Sequence, residues 1–252
     1  MLPIARNIFI LFSAGVLILL VGCEPTQDSV NSESSSNVSA ASNNDSTLLA
    51  QMIEKRQEFE LVVLSDGRLF AIGGRGVNTD TYVSAVDTTE VYDPVADEWT
   101  LSGAMDNKTS VPSAVELKDG HVLVTGGTSG FGEATSLTEI WDPGTGEWTI
   151  VAPMNQPREK FALIRLADGR VIAIGGSDSE GQHTQTVEIY DPSANTWTLI
   201  DPMGDKRIWH TSTVLNDRRI LITGGGNPDG PFKKSAEIFD PSTEKWQYAG
   251  EM

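Results

Sequence analysis

One eleven-residue segment occurs four times along the chain, and this repetition limits the fold more than any other feature. Each copy begins 49 residues after the previous one: TEVYDPVADEW at 89–99, TEIWDPGTGEW at 138–148, VEIYDPSANTW at 187–197 and AEIFDPSTEKW at 236–246. Every methionine after the first lies on the same grid, at positions 52, 105, 154, 203 and 252. A regular period near 50 residues predicts an array of similar supersecondary units.

Each unit is predicted to contain four strands, which we name A to D. Strand A leads into a tight turn, which is Asp-Gly in the first three units, and strand B is an apolar run that ends in two glycines, as in RLFAIGG at 68–74. Strand C is the start of the repeated segment, and strand D begins at its tryptophan. Such apolar runs indicate sheets covered on both faces, and repeated sheets of this kind stack radially in propellers. The fourth unit has Arg218 in place of the turn glycine, so Asn216 and Asp217 are expected to form that turn.

The double glycine, the tyrosine-like residue and the tryptophan recur in this order and resemble the kelch repeats of bacterial kelch proteins and of the galactose oxidase central domain. The resemblance covers residues 52 to 252 and implies an all-β, kelch-type β-propeller of four four-stranded blades within a domain at 47–252. Its units are 52–104, 105–153, 154–202 and 203–252. The residues to which it gives structural roles are Gly73, Gly74, Glu90, Trp99, Gly126, Gly127, Glu139, Trp148, Gly175, Gly176, Glu188, Trp197, Gly224, Gly225, Glu237 and Trp246.

The two ends of the domain predict an open or incomplete propeller. Residues 46–52, STLLAQM, match WTIVAPM at 148–154 with Ser46 in place of the tryptophan, so a strand D without its own A, B or C is expected before the first unit. The last unit already has a strand D. We therefore expect a truncated array that self-associates through exposed blade faces, and the alternative is a compact four-bladed ring.

The first 22 residues have the order of a secretory signal peptide, with Arg6 before an apolar run from Ile8 to Val21. The run ends in LVGC, which resembles the lipobox of bacterial lipoproteins and implies cleavage after Gly22 and lipidation of Cys23. The alternative is an ordinary signal peptide with an incidental cysteine. Residues 23–46 are rich in Ser and Asn and predict a disordered tether. The chain is thus expected to be exported and anchored to a membrane of a bacterial cell envelope.

Charge and motif content exclude several functions. The net charge is −17, which argues against nucleic acid as a partner. His121, His183 and His210 show no metal-ligand spacing, so no metal is expected. Copper-radical oxidation of the galactose oxidase type needs a Tyr–Cys cofactor, and the repeats contain no cysteine. No cofactor and no catalytic residues are therefore predicted.

The repeated glutamates are interpreted as structural, because a residue that recurs in every unit serves the repeat. Their carboxylates should be partly buried and so need hydrogen-bond donors. Arg56, Arg158 and Arg207 begin three of the strand A segments and are predicted to be donors. The second unit has Thr109 there instead, so backbone N–H groups near the double glycine are expected to contribute.

A binding site is expected on one rim, because the alternation of strand direction brings the variable B-to-C loops and the D-to-A segments to the same side. Loops that vary on a repeated scaffold are the usual place for binding. The candidate rim residues are Tyr82, Phe131, Arg158, Arg207, Trp209, His210, Asn227 and Phe232.

The sequence favours a lipid-anchored binding module whose rim takes a glycan or a protein. The alternatives are a carbohydrate-active enzyme of the sugar mutarotase or epimerase type, which needs only placed acid–base groups, and a purely structural envelope protein.

Overall fold

The structure, a computed structural model, describes the backbone of residues 9–13, 16–20, 49–79, 82–226 and 232–252, and the side chains of 49–76, 84–226 and 232–252. It divides into two units, Met1–Leu49 and Ala50–Met252. In the first unit, strands β1 (Phe9–Ser13) and β2 (Val16–Leu20) pair antiparallel. Cys23 and the expected tether lie outside the described residues. No helix in the described ranges is long and apolar enough to cross a membrane.

The first blade holds the four expected strands in the order A, B, C, D, paired antiparallel. Two short additional strands pair beside them, and strand D runs on to pair with a strand of the next blade. The elements are β3 (Arg56–Gln57), β4 (Glu60–Val63), β5 (Leu69–Ile72), β6 (Arg75–Thr79), β7 (Tyr82–Asp93) and β8 (Glu98–Ser110), of which β4, β5, β7 and β8 are strands A to D.

The second blade is β9 (Ser113–Glu116), β10 (Val122–Thr125), β12 (Thr138–Trp141) and β13 (Trp148–Val151), with β11 (Thr128–Ser129) paired to β8. The third is β14 (Ala162–Arg165), β15 (Val171–Ile174), β16 (Val187–Asp191) and β17 (Thr196–Ile200), and the fourth is β18 (Thr211–Val214), β19 (Ile220–Thr223), β20 (Ser235–Asp240) and β21 (Lys245–Glu251). Each is an antiparallel four-stranded sheet. The described residues thus form four four-stranded blades and include no helix, which confirms the predicted all-β fold.

In the part of the chain that the structure describes, three apolar clusters lie between consecutive blades. The cluster between the first and second blades includes Phe70 and Trp141, whose ring centroids are 4.0 Å apart. The cluster between the second and third includes Leu123 and Trp197, and the one between the third and fourth includes Ile172 and Phe239. In the second and third blades, alternate residues of strand B enter different clusters, which explains why these strand B sequences are almost continuously apolar.

The strand D tryptophans of the second, third and fourth blades pack toward the preceding blade. Trp148 contacts Phe70 of the first blade, with ring centroids 6.1 Å apart, and Trp246 packs on the cluster shared with the third. The tryptophan of the last unit, Trp246, therefore has the third blade in front of it. Trp99 of the first blade instead meets Ala50, whose carbonyl accepts its indole N–H at 3.2 Å.

Residues 50–54 lie against the first blade as the end of a preceding repeat would. The Ala50 N–H donates to Asp97 at 2.9 Å, and the Ala152 N–H donates in the same way to Asn195 of the third blade. The described part of the expected leading strand D, residues 49–52, has no strand hydrogen bonds. This segment therefore occupies the predicted position without the predicted strand conformation.

The face of the fourth blade that points away from the third is partly uncovered. Leu221 and Ile238 are half-buried there, whereas the equivalent residues of the third blade, Ile172 and Ile189, are buried at 0% and 4% exposure. The described arrangement is consistent with the expected open propeller.

The A-to-B turn of the fourth unit differs from the expectation. Arg218 itself adopts a left-handed conformation, with φ of 72°, at the position where Gly67, Gly120 and Gly169 have φ between 88° and 106°. The neighbouring Asp217 accepts from the Arg219 N–H and side chain. Arg218 therefore makes the turn, and the carboxylate of Asp217 binds Arg219, the next residue.

Candidate functional site

A buried hydrogen-bonded brace occurs at the rim end of each repeat, with a strand C glutamate at its centre. Each carboxylate accepts two consecutive backbone N–H groups from the turn that follows the methionine. In the third repeat, Asn155 and Gln156 donate to Glu188 at 2.7 and 3.1 Å. The equivalent pairs are Ile53 and Glu54 for Glu90, Asp106 and Asn107 for Glu139, and Gly204 and Asp205 for Glu237. Backbone donors were expected near the double glycine, and the structure corrects this position.

In three repeats an arginine completes the brace, as the sequence predicts. Arg158 donates to Glu188 at 2.6 Å, and its other terminal nitrogen donates to the carbonyls of Gly175 and Thr186 at 2.9 and 3.1 Å. Arg56 and Arg207 make the same set of contacts with their own repeats. Burial lowers the pKa of Arg158, and the adjacent Glu188 acts in the opposite direction. Such pairs are stable only when both charges are well hydrogen-bonded.

Arg158 and Arg207 were also expected on the binding rim. Both side chains are fully buried within the brace. Their hydrogen-bonding groups are directed at the protein's own acceptors, so they are not presented to a ligand on the rim.

Among the described side chains, no arginine contacts the brace of the second repeat. Thr109 stands at the arginine position, because its carbonyl accepts the N–H of Gly74 at 2.9 Å, as the carbonyls of Arg158 and Arg207 accept from the second glycine of the repeat before them. Its hydroxyl donates to Gly126 at 3.2 Å. That bond reproduces one contact of the missing guanidinium. The rest of the volume that an arginine side chain fills in the other repeats stays empty.

The second repeat also differs from the others at a second position that contacts the arginine. In the other repeats the arginine also contacts a hydroxyl group two residues before the glutamate: Thr88, Thr186 or Ser235. The second repeat has Leu137 at this place, which cannot accept such a bond. Both partners of the arginine contact have therefore changed in the same repeat.

A cleft of about 420 Å³ opens where the arginine is missing. Its lining includes Thr109, Gly126, Leu137 and Glu139. The other lining residues come from the D-to-A segment at 105–108, from β10 at 124–125, from the start of β7 at 84–85 and from the B-to-C loop within 129–135. Glu139 is 4% exposed and also accepts from the Asn107 side-chain amide at 3.0 Å. The volume falls in the usual range of small-ligand pockets, roughly 300–1,000 Å³.

Of the expected rim residues whose side chains are described, one lines this cleft. Phe131 is 97% exposed and lies in the cleft wall, whereas Phe232 is 83% exposed and does not line it. Trp209 is exposed, and Lys160 lies over its ring at 5.1 Å from the centroid. The side chain of Tyr82 and the whole of Asn227 lie outside the described residues.

His210 is partly buried against the double glycines rather than presented on the rim. Its ring carbon Cε1 lies about 3.0 Å from the place where a side chain on Gly175 would begin, and Phe161 has the equivalent position beside Gly126. Burial, aided by the charge of Arg207, lowers the pKa of His210 to about 4. The side chain is therefore neutral near pH 7 and packs as an apolar ring.

Leu137 and Asn107 are the residues that sequence reasoning missed, although Thr109 was noticed as an exception. Comparing the repeats position by position would have shown a leucine where the others carry Thr or Ser. Within the described ranges, no group of three or more His, Cys, Asp or Glu side chains could hold a metal ion.

The blades and their braces define a kelch-type β-propeller, a fold that supports a binding module or scaffold. The family described as Kelch motif matches residues 61–105, 111–155, 166–204 and 210–252. The chain therefore belongs to the kelch family, as its repeats predict. A solved structure described as "Structure of YjhT" is similar, with a TM-score of 0.70 and 16% identity over 81% of this chain and 73% of that one. At this identity the likeness concerns the fold alone. No curated protein matches the sequence.

Proposed function

We propose that the chain is an exported, lipid-anchored binding module that presents the cleft of the second repeat to a glycan or a protein at the cell envelope. The cleft carries this proposal. It lies on the variable rim, it combines an exposed aromatic ring with buried polar groups, and no other repeat has the same combination of Thr109 and Leu137. A few placed polar groups in a concave apolar surface are the usual basis of ligand recognition.

The cleft proposal is tested with two matched phenylalanine variants. The full chain, purified in detergent, is applied to a glycan array and to an array of peptides. Phe131→Ala should reduce binding at least about tenfold, since an exposed aromatic contact in a binding site is often worth more than 1 kcal/mol. Phe232→Ala is the control, because it removes an equally exposed ring that does not line the cleft. Equal effects of the two changes would place the site elsewhere.

The anchor rests on the sequence LVGC at 20–23 after the apolar run. Cys23→Ser should abolish metabolic labelling with a fatty acid and release the protein from membranes, because a lipid chain supplies the membrane affinity. Unchanged labelling of the variant would show that Cys23 carries no lipid.

A further inference from the structure

The acceptors that hold an internal arginine in three repeats are present without an arginine in the second. They are the Gly126 carbonyl, the Leu137 carbonyl and the Glu139 carboxylate, which correspond to Gly175, Thr186 and Glu188 of the third repeat. All three belong to residues that line the cleft. Given the proposed function of this cleft, we propose that it binds the arginine side chain of a partner protein, whose guanidinium takes the place that Arg158 fills in its own repeat.

Among the described residues, the donors to these acceptors are uncharged amide, hydroxyl and backbone N–H groups. The Glu139 carboxylate accepts from the Asn107 amide, the Gly126 carbonyl from the Thr109 hydroxyl, and the Leu137 carbonyl from the Thr125 hydroxyl at 3.2 Å. Within the described side chains, Glu139 makes no ion pair within 4 Å, whereas Glu90, Glu188 and Glu237 each have one.

A carboxylate at 4% exposure without a cation is an unusual arrangement, because a buried charge is normally paired. A guanidinium that entered the cleft would supply the missing positive charge. Its hydrogen bonds to Glu139 would join two opposite charges, and such bonds are stronger than those from the neutral donors that it replaces.

The mouth of the cleft suits the rest of an arginine side chain. Phe131 offers an exposed ring on which an aliphatic stem or a guanidinium can stack. Asp106 and Lys108 lie at the mouth, and their opposite charges cancel. The carboxylate of Glu139 therefore gives the lining a net negative charge. The net charge of −17 attracts cationic partners over longer distances. A peptide segment that carries arginine fits these features better than a neutral glycan.

The test uses N-acetyl-arginine amide as the probe and its citrulline counterpart as the matched control, because citrulline has nearly the same shape without the charge. The full chain, labelled with nitrogen-15 and held in detergent, is titrated with each compound and followed by NMR. The arginine probe should shift the signals of Asn107, Leu137 and Glu139. It should bind at least about tenfold more tightly than the citrulline probe, as expected when a charged partner is replaced by a neutral one.

A variant of the cleft provides a second measurement. Thr109→Arg restores the residue found in the other repeats, so its own side chain should fill the cleft and abolish binding of the arginine probe. Thr100→Arg is the control, because it adds the same charge at an exposed threonine of β8 that does not line the cleft. If Thr109→Arg fails to fold, the titration of the wild-type chain still decides.

Absence of binding, equal binding of the arginine and citrulline probes, or unchanged binding by Thr109→Arg would each overturn the inference. A glycan or peptide that binds on the arrays and is lost in Phe131→Ala, while the arginine probe causes no shift, would overturn the arginine assignment and leave the proposed function standing. Binding of the arginine probe without any Phe131-dependent array ligand would support the arginine site and count against the proposed function.

Discussion

Arg158 and Glu188 form a fully buried ion pair, with 2.6 Å between the guanidinium nitrogen and the carboxylate oxygen and no exposure of either side chain. The arginine comes from the segment that precedes strand A, and the glutamate comes from strand C. The pair therefore fastens the start of a repeat to the middle of the same blade. Removing one partner should be costly, since the other would remain as a buried charge without its counterion.

Arg158→Thr, which copies the residue of the second repeat, should lower the free energy of unfolding by about 3–5 kcal/mol, because Glu188 would remain buried without its cation. Urea titration followed by tryptophan fluorescence measures this loss. Arg165→Thr is the control and should change stability by less than about 0.5 kcal/mol, since that arginine is exposed. Similar losses in both variants would show that the pair contributes nothing of its own.

Replacing a strand D tryptophan by alanine should lower the free energy of unfolding by an amount that depends on whether a blade lies in front of it. Trp197 is buried at 7% exposure in the cluster between the second and third blades, so Trp197→Ala should cost about 3–5 kcal/mol. Trp99 is partly buried beside Tyr92 and Ala50, and Trp99→Ala should cost about half as much. Equal losses in denaturant titrations would contradict this orientation of the tryptophans.

His210 should make the protein sensitive to acid. Its pKa is about 4 in the folded protein and about 6.5 when unfolded, so the unfolded chain binds more protons between these values. Stability from this group is fully present above pH 6.5 and falls as the pH drops toward 4, by at most about 1.4 kcal/mol per pH unit. His210→Phe, which copies Phe161, should flatten the dependence in this window.

The pH effect is measured as the denaturation midpoint at several pH values. His121→Gln is the control, because His121 lies at the surface near Asp119 and Asp142. An unchanged acid dependence in His210→Phe would show that other groups cause it.

Arg218→Gly should stabilise the protein by about 0.5–1 kcal/mol. The backbone at this turn is left-handed, a conformation that costs a side-chain-bearing residue energy and that glycine accepts freely. Thermal unfolding compares the variant with its reverse, Gly67→Arg, which should lose a similar amount because the space around Gly67 is open. Destabilisation by Arg218→Gly would show that the Arg218 side chain makes a compensating contact.

The partly uncovered face of the fourth blade, which points away from the third blade, should cause self-association. Light scattering of the lipid-free Cys23→Ser chain should give a mass above that of a monomer, and Leu221→Lys should reduce it, because a charge on an apolar contact face opposes association. A stable monomer with the first and fourth blades in contact would contradict the open arrangement.

The blades and most of the brace could be predicted from the sequence, because both repeat at a fixed period. Arg56, Arg158 and Arg207 share one position relative to the double glycine, and this was enough to predict their role beside the glutamates. The backbone donors were placed wrongly because their position depends on how the turn after each methionine folds back on strand C. A contact between these two distant segments leaves no pattern in the local sequence.

The cleft was not predicted, because it needs two changes that are 28 residues apart in the chain. Thr109 alone reads as an exception, and Leu137 alone reads as an ordinary loop residue. The contacts of the arginines with Thr88, Thr186 and Ser235 in the other repeats show that these two positions meet. Phe131 could be predicted as a rim residue because its place in a variable loop is visible in the sequence without knowledge of any contact.

The attachment of residues 50–54 to the first blade also has a mechanical consequence. A pulling force applied at the N-terminal end would first reach the hydrogen bonds from Ala50 to Asp97 and from Ile53 and Glu54 to Glu90. Beyond them, the chain enters the Arg56–Glu90 pair before it reaches strand β4. Tension would therefore load these hydrogen bonds and this ion pair before the pairing of β4 with β5, and their strength sets the force at which the first blade begins to unravel.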